Sequence, residues 1–431
     1  MKPNRSPIAL VLAVMIGAAS IVSTPVMAQF RYPNQTGAHS LALGGAGVGG
    51  LMDSYTGLLN PASIVKINET RIAFQSTFEK SQTTIEMIGT GYRETGDTSD
   101  SLQMAPSVAS VLNFGSSMFS MGIYAHTREN TRLDFGNETL FRYHLREFRF
   151  NATSLDISLG VIPIPNFAFG INLGYLHAEA SAMRKESPFI NSSDPDSELD
   201  VRWNAEFEDI AEFFPSAGML WSPNYRFDLG FVFQPPAAYH FKGDLAVTIP
   251  ESLGGTTYRT DLEKLRVTIP GSLQLGTHWI ASDRMDVFTD VRWTQFSQVD
   301  DMNLVMESPR DPVIPFENRS RVDLNDRWSL HAGAEFMASD RVTVRLGGFH
   351  STEVSDDTNN SILWAYPAQT GVSAGLDLKF LGWDLEFSAQ HVFSGKSRND
   401  LSSGSLPMIP IDQVDVSQET TSISIGLSKS F

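Results

Sequence analysis

The last ten residues, Ser422–Phe431, place apolar side chains at Ile423, Ile425 and Leu427, small polar ones between them, and an aromatic residue, Phe431, at the carboxyl end. A two-residue period gives a β-strand one apolar and one polar face. Lys429 falls on the apolar parity, but so close to the end its ammonium can snorkel to a headgroup layer. Such a strand meets lipid on one side and water on the other. In lipid every backbone group must pair internally, so strands cross a membrane only in a closed barrel.

The amino terminus has the matching export pattern. Lys2 and Arg5 precede an apolar run from Ile8 to Val22, and Val26-Met27-Ala28 offers small residues before Gln29. Residues 1–28 are therefore expected to be a secretory signal peptide. No stretch of the chain reaches 18 continuous apolar residues, so no membrane-spanning helix is expected. The formal net charge of −17 argues against nucleic acid, which requires a basic footprint. The absence of cysteine excludes disulfides and thiolate metal sites.

Period-2 segments recur along the chain, separated by turns. Leu155, Ile157, Leu159 and Val161 alternate with Asp156, Ser158 and Gly160, and Phe167, Phe169, Ile171 and Leu173 follow across a turn at 163–166. Phe227 to Phe233, Met285 to Trp293, Val342 to Leu346 and Trp383 to Phe387 repeat the pattern. Six tight turns fall near residues 115, 164, 224, 282, 339 and 381. Long polar stretches lie between them, at about 80–103, 129–146, 186–211, 247–262, 304–321, 353–368 and 397–418. Short turns on one side and long loops on the other are the asymmetry of outer-membrane barrels. Six hairpins plus a first strand (about Glu69–Lys80) and a last strand (about Glu419–Phe431) give about 14 strands. The inner parity carries Asp156, Asn172, Asp228, His278, Asp286, Asp290, Arg292, Glu335, Arg345, Asp384 and Glu386. A wet lumen accepts these groups; the dry core of a soluble β-sandwich does not. The fold expected is all-β: a transmembrane antiparallel β-barrel over residues 69–431, preceded by a segment at 29–68.

That segment contains Leu41-Ala-Leu-Gly-Gly-Ala-Gly-Val-Gly-Gly50 and Asp53-Ser-Tyr-Thr-Gly-Leu-Leu-Asn-Pro-Ala62. Nothing in it alternates, and Gly and Ala let backbone pack closely, so it is placed inside the barrel as a plug. The order of a small-residue run, Asn60-Pro61-Ala62 before the first strand, Ala105-Pro106-Ser107, Thr153–Gly160 and Ala217–Asn224 resembles the long-chain fatty-acid transporter (FadL/TodX) superfamily. The resemblance covers essentially residues 36–431. It implies a bacterial outer-membrane channel of Gram-negative type for passive uptake of hydrophobic molecules such as long-chain fatty acids or hydrocarbons. Substrate would be captured outside, passed through the lumen, and released by a shift of the plug or through a lateral gap in the wall. Outer-membrane lipid and lipopolysaccharide would surround a monomer. The Leu41–Asp53 stretch also looks like PorV-like relatives, which would make the chain a shuttle or scaffold for secreted proteins.

Candidate residues follow. Gly44, Gly45, Asn60, Pro61 and Ala62 are read as plug and gate. Trp203, Phe207, Ile210, Phe213 and Phe214 have spacings that suit one face of a short helix in a capturing loop groove; Leu199, Val201, Trp203, Ala205 and Phe207 also alternate as a strand rising above the membrane. Arg292 and Arg345 could meet a carboxylate ligand or pair with lumen acids such as Asp290, Asp286 or Glu335. Pro106 and Gly122 mark either ordinary strand punctuation or a break in the wall. The acidic runs Asp194/Asp196/Glu198/Asp200 and Asp356/Asp357 read as solvated faces or cation sites near lipopolysaccharide. Gly45-Ala-Gly47-Val-Gly-Gly50 matches a dinucleotide fingerprint formally, without the strand, helix and acidic residue that fingerprint needs. The nine His show no metal spacing, and Ser388, His391 and His331 suggest a lipase only loosely. Neither an enzyme nor a cofactor is expected.

Overall fold

A computed structural model describes residues 37–89, 92–98, 101–114, 118–136, 146–186, 199–209, 212–299, 301–306, 316–321, 324–355, 366–400 and 411–431. The expected signal peptide, Ile210, Asp194, Asp196, Glu198, Asp356 and Asp357 lie outside the described residues.

The strands form one antiparallel sheet that closes on itself as a 14-stranded barrel. In chain order the first wall strands are β1 (Arg71–Gly89), β2 (Tyr92–Asp97) with β3 (Ser101–Asn113), β4 (Phe119–Asp134), β5 (Glu147–Ile164) and β6 (Phe167–Glu186). Then come β7 (Val201–Asp209) with β8 (Glu212–Asn224), β9 (Phe227–Gln234) with β10 (Ala237–Thr248), and β11 (Thr257–Ile269) with β12 (Ser272–Ser282). β13 (Met285–Thr294) is extended by β14 (Asp301–Met306), and β16 (Arg327–Ser339) by β15 (Phe316–Arg321). The last four are β17 (Val342–Ser351), β18 (Gln369–Phe380), β19 (Trp383–Ser394) with β20 (Ser397–Asp400), and β21 (Ile411–Ser430). β21 closes the barrel on β1, from Arg71 opposite Ser430 up to Gly89 opposite Ile411. Closure leaves neither the first nor the last strand as a free edge in lipid.

Alternation sorts the side chains as the sequence reading expects. Ile157, Ile171, Phe231, Leu275, Leu330, Leu346, Ile423 and Ile425 point outward and are exposed, forming the lipid band. Asp156, Asn172, Asp228, His278, Asp290, Arg292 and Arg345 point inward and are buried. Rings frame the band: Phe167 stacks on Trp221 at the short-turn end (6.0 Å), and Tyr175 meets Phe213 edge-on at the other (6.0 Å). These are the aromatic girdles of a membrane barrel. The Lys429 ammonium lies 5.0 Å from the Trp383 ring centroid, so it anchors on an aromatic ring near the interface. The turn at 381–382 uses positive φ at both Leu381 (52°) and Gly382 (77°).

The long polar stretches differ from expectation. Much of 80–103, 186–211, 247–262 and 397–418 is strand continuing above the lipid band, in β1, β2, β7, β11, β20 and β21. Ladder pairing satisfies their backbone groups there; the outer face turns polar to meet water while the inner one carries buried apolar residues such as Ile85, Met87, Trp203, Val414 and Val416, so the alternation is inverted relative to the lipid band.

Candidate functional site: a seated plug beneath an apolar chamber

Residues 37–67 fill the short-turn half of the lumen, and most of them are fully buried. Helices α1 (Ala38–Ala42) and α2 (Thr56–Leu59) are single turns, followed by a 3-10 turn over Pro61–Lys66. No helix among the described residues is long and apolar enough to cross a membrane.

The wall makes room for this plug with glycine. A Cβ at Gly170 or Gly218 would overlap Pro61 or Asn60, and one at Gly230 would overlap the Val48 carbonyl. At Gly276 it would sit 2.7 Å from Val48 Cβ, and at Gly333 2.7 Å from Leu43 Cβ. Side chains elsewhere would hold the plug backbone off; at these inward positions it lies directly on the strand. The plug has its own glycines at the seat. Gly44 (φ +69°) lies against Gly348 backbone, and Gly45 (φ +84°) lies 3.2 Å, by its added Cβ, from His331 Nδ1.

Three wall side chains grip this glycine loop. Asp290 Oδ2 accepts the Gly47 and Val48 N–H groups (2.9 and 3.1 Å). Arg292 donates to the Gly45 carbonyl and pairs with Asp290 (3.3 Å). His331 Nδ1 meets the Gly44 carbonyl at 2.7 Å. Asn60 locks the other half: its Nδ2 donates to Val48 O (2.9 Å) and to Met219 O of β8 (3.2 Å), while its Oδ1 caps Ala62 N (3.0 Å). Its cap position before Pro61 suits the turn that follows.

Two charged chains surround the plug toward its open end. His39 Nε2 lies 2.9 Å from Glu335, which also accepts from Arg345 Nε (2.6 Å); Arg345 continues to Asp377 (3.2 Å). Lys66 pairs with Asp228, which His278 contacts at 3.0 Å. Asp53 accepts the Tyr55 N–H (2.8 Å), and burial pushes its carboxyl above the ordinary carboxylate range despite the pull of His39. A cavity of about 420 Å³ lies here, lined by His39, Asp53, Lys66, Arg71, Glu335 and Arg345 among others. Arg292 and Arg345 thus pair with Asp290 and Glu335, and Arg292 also holds the plug.

Above the plug the lumen changes character. Phe150, Tyr239 and Phe241 form a ring cluster with centroids 5.5 to 6.3 Å apart, joined by Trp203, Phe214 and Leu245. Trp203 is 1% exposed and Phe207 packs against Phe241 at 6.3 Å. The helix-face arrangement of these aromatics is not observed. They lie on strands β7 and β8, so Trp203, Phe207 and Phe214 turn inward while Phe213, on the opposite parity, turns out to lipid. Spacing of three to four mimicked a helix because it ran across the junction between two strands.

At the long-loop end of the lipid band, the ladder between β3 and β4 stops at Ser107 opposite His126. Among the described residues no backbone pair joins 101–106 to 127–134, although both strands pair on their other sides. Pro106 stands at the break and has no N–H to donate. Gln103 spans it, its amide facing the Asn130 carbonyl and Arg132 N–H. Tyr55 of the plug reaches the same point, donating to Ser107 O (3.1 Å). Gly122 is not part of the break: β4 pairs through it on both sides, and the Tyr124 ring occupies the space its side chain would take. Ser388 is buried on the inner face, His391 points outward to Thr421 (3.0 Å), and His331 holds the plug, so those three are not brought together.

A model of the outer membrane protein transport protein family (OMPP1/FadL/TodX) matches residues 20–377. The chain belongs to this family. Solved FadL-family structures share the fold. A Pseudomonas aeruginosa FadL homologue superposes with a TM-score of 0.75 at 14% identity, covering 90% of this chain and 96% of that one. The Pseudomonas putida toluene transporter TodX gives 0.67 at 13% identity, covering 93% and 99%. The Ralstonia pickettii toluene transporter TbuX gives 0.68 at 14%, covering 92% and 99%. A putative outer membrane protein of Neisseria meningitidis serogroup B is 27% identical over 140 residues, which is 30% of either chain's length.

Proposed function

We propose that this FadL-family chain is a monomeric outer-membrane channel for passive uptake of hydrophobic molecules, such as long-chain fatty acids or hydrocarbons, across a wall embedded in lipid and lipopolysaccharide. The observation that carries this is the apolar chamber of Trp203, Phe207, Phe214, Tyr239 and Phe241 on the inner wall above the plug. A water-filled pore for ions has no use for such a surface, whereas each methylene buried there gains about 0.8 kcal/mol. Trp203, Phe207 and Phe214 capture the solute. Arg128, 3.8 Å from the Phe214 ring, and Arg184, 5.4 Å from the Trp203 ring, set cations at the chamber's edge. They suit a carboxylate end group better than Arg292 and Arg345, which serve the plug and its surroundings. Ile210, Gly44, Gly45, Pro61 and Ala62 complete the capture and gate sets.

Release is lateral, through the β3–β4 seam. An axial route would break the buried hydrogen bonds by which Asp290, Arg292 and His331 hold the plug backbone, at roughly 1–3 kcal/mol each, and drag apolar surface past charge. The seam has no ladder to break, borders the chamber at Leu133, and touches the plug through Tyr55. Channels for toluene and monoaromatic hydrocarbons among the structural relatives support this class of substrate. The test is uptake of labelled fatty acid by cells carrying Trp203→Ser/Phe207→Ser. Uptake should fall to a small fraction of the parent's while folded barrel remains in the membrane; unchanged uptake refutes the chamber as the capture site.

A further inference from the structure

The wall has a second interruption. The β8–β9 ladder runs up from Asn224 opposite Phe227 to Ala217 opposite Phe233. Pairing resumes only above, between β7 and β10, at Asp209 opposite Phe241. Among the described residues, no backbone pair joins 212–216 to 234–240. Each lip is held from behind: 212–216 pair with β6, and Ala237–Phe241 pair with β11. The lips can therefore part without unravelling the strands that carry them.

Three prolines, Pro215, Pro235 and Pro236, line the interruption. None has an N–H, so the open seam leaves fewer unsatisfied donors than any other residue would, and unsatisfied donors are what make a wall break costly in lipid. Side chains replace the missing ladder. His240 N donates to Asp209 Oδ1 (3.1 Å), and His240 Nδ1 contacts Glu212.

The seam has apolar surface on both sides. Outside, Phe213 (64% exposed), Tyr175 and Phe233 belong to the girdle at the long-loop end. Just above them an open cavity of about 970 Å³ is lined by Tyr175, Phe207 and Asp209, with Glu206, Glu208 and Lys242 on its rim. Inside, Phe214, Tyr239 and Phe241 belong to the chamber. Phe207 is common to both, lining the outer cavity and packing on the Phe241 ring.

We propose that the seam between β8 and β9–β10 is a second lateral opening, an entrance by which small apolar molecules dissolved in the outer leaflet reach the chamber without passing the extracellular mouth. The inference rests on the chamber reading above. Glu212 and His240 form the latch and the prolines keep the lips unzipped.

The chain has no cysteine, so an engineered pair reacts alone. The Glu212→Cys/His240→Cys protein, in vesicles, is compared before and after stapling with a short bismaleimide. The probe is a long-chain bromoalkane delivered in the lipid, and the readout is quenching of Trp203, taken as the difference from the same protein carrying Trp203→Phe. Stapling should slow Trp203 quenching severalfold, the residual rate being passage through the β3–β4 seam, with no effect of the reagent on either single-cysteine variant. Replacing Pro215, Pro235 and Pro236 together by Val, which restores donors for a ladder, should slow it as well. An unchanged rate in the stapled protein overturns the second opening and leaves the chamber intact. Absence of any Trp203 quenching in the unmodified protein overturns the chamber, and this entrance with it.

Discussion

Asp290 joins plug to wall through one carboxylate that accepts two plug N–H groups and faces Arg292. Asp290→Ala strands the Arg292 guanidinium and two amides, a loss on the order of 3–5 kcal/mol for a buried pair. We expect the barrel to fold and the plug to loosen, seen as faster proteolysis within residues 37–67 and new leakage of small polar solutes. Gly170→Ala should do the same by a steric route, since its Cβ would overlap Pro61. A variant plug as protected as the parent's contradicts this account of the seat. The sequence placed Asp290 inside and offered it to Arg292. It could not show the amide contacts, which bridge 243 and 242 residues of chain. Strand glycines carried the same blind spot: in the sequence Gly160 is only a small residue on the inner parity, while in the fold Gly160, Gly170, Gly218 and Gly230 are the space a plug occupies.

Among the elements, the hairpins were legible because each lipid-facing position must be apolar and each inner one tolerates charge. The turns near 164, 224, 282, 339 and 381 fall where the alternation stops, while the one near 115 lies outside the described residues. Strand β7 was harder. Its Trp203, Ala205 and Phe207 alternate, but joined to Phe213 and Phe214 of β8 they also fit a helix face, and only the strand junction between them decides the period. Pro106, open in the sequence to ordinary punctuation or to a break, stands where the β3–β4 ladder ends, as suits a residue with no N–H; Gly122 does not, because its missing side chain accommodates Tyr124. The seam yields an element-scale prediction. Gln103 faces Asn130 across it, so crosslinking Gln103→Cys to Asn130→Cys should depress uptake of hydrophobic solute severalfold, with recovery when a reducible linker is cut. Uptake indifferent to that crosslink would move release to the plug.

For the molecule as a whole, a lipid-facing wall, a charged seat and an apolar chamber divide the labour. The wall follows from period-2 alternation, and the lumen's polarity from parity. The chamber was not legible as one surface: it draws Phe150, Trp203, Phe214, Tyr239, Phe241, Val267 and Val416 from strands far apart in sequence. The division predicts selectivity by apolarity rather than by size or charge. The most direct test is uptake of labelled long-chain fatty acid and labelled toluene by de-energised cells with and without the protein. The account predicts faster, saturable uptake of both when the protein is present, with no gain for a sugar of similar size. Equal uptake in the two strains, with the folded barrel verified in the outer membrane, would contradict it.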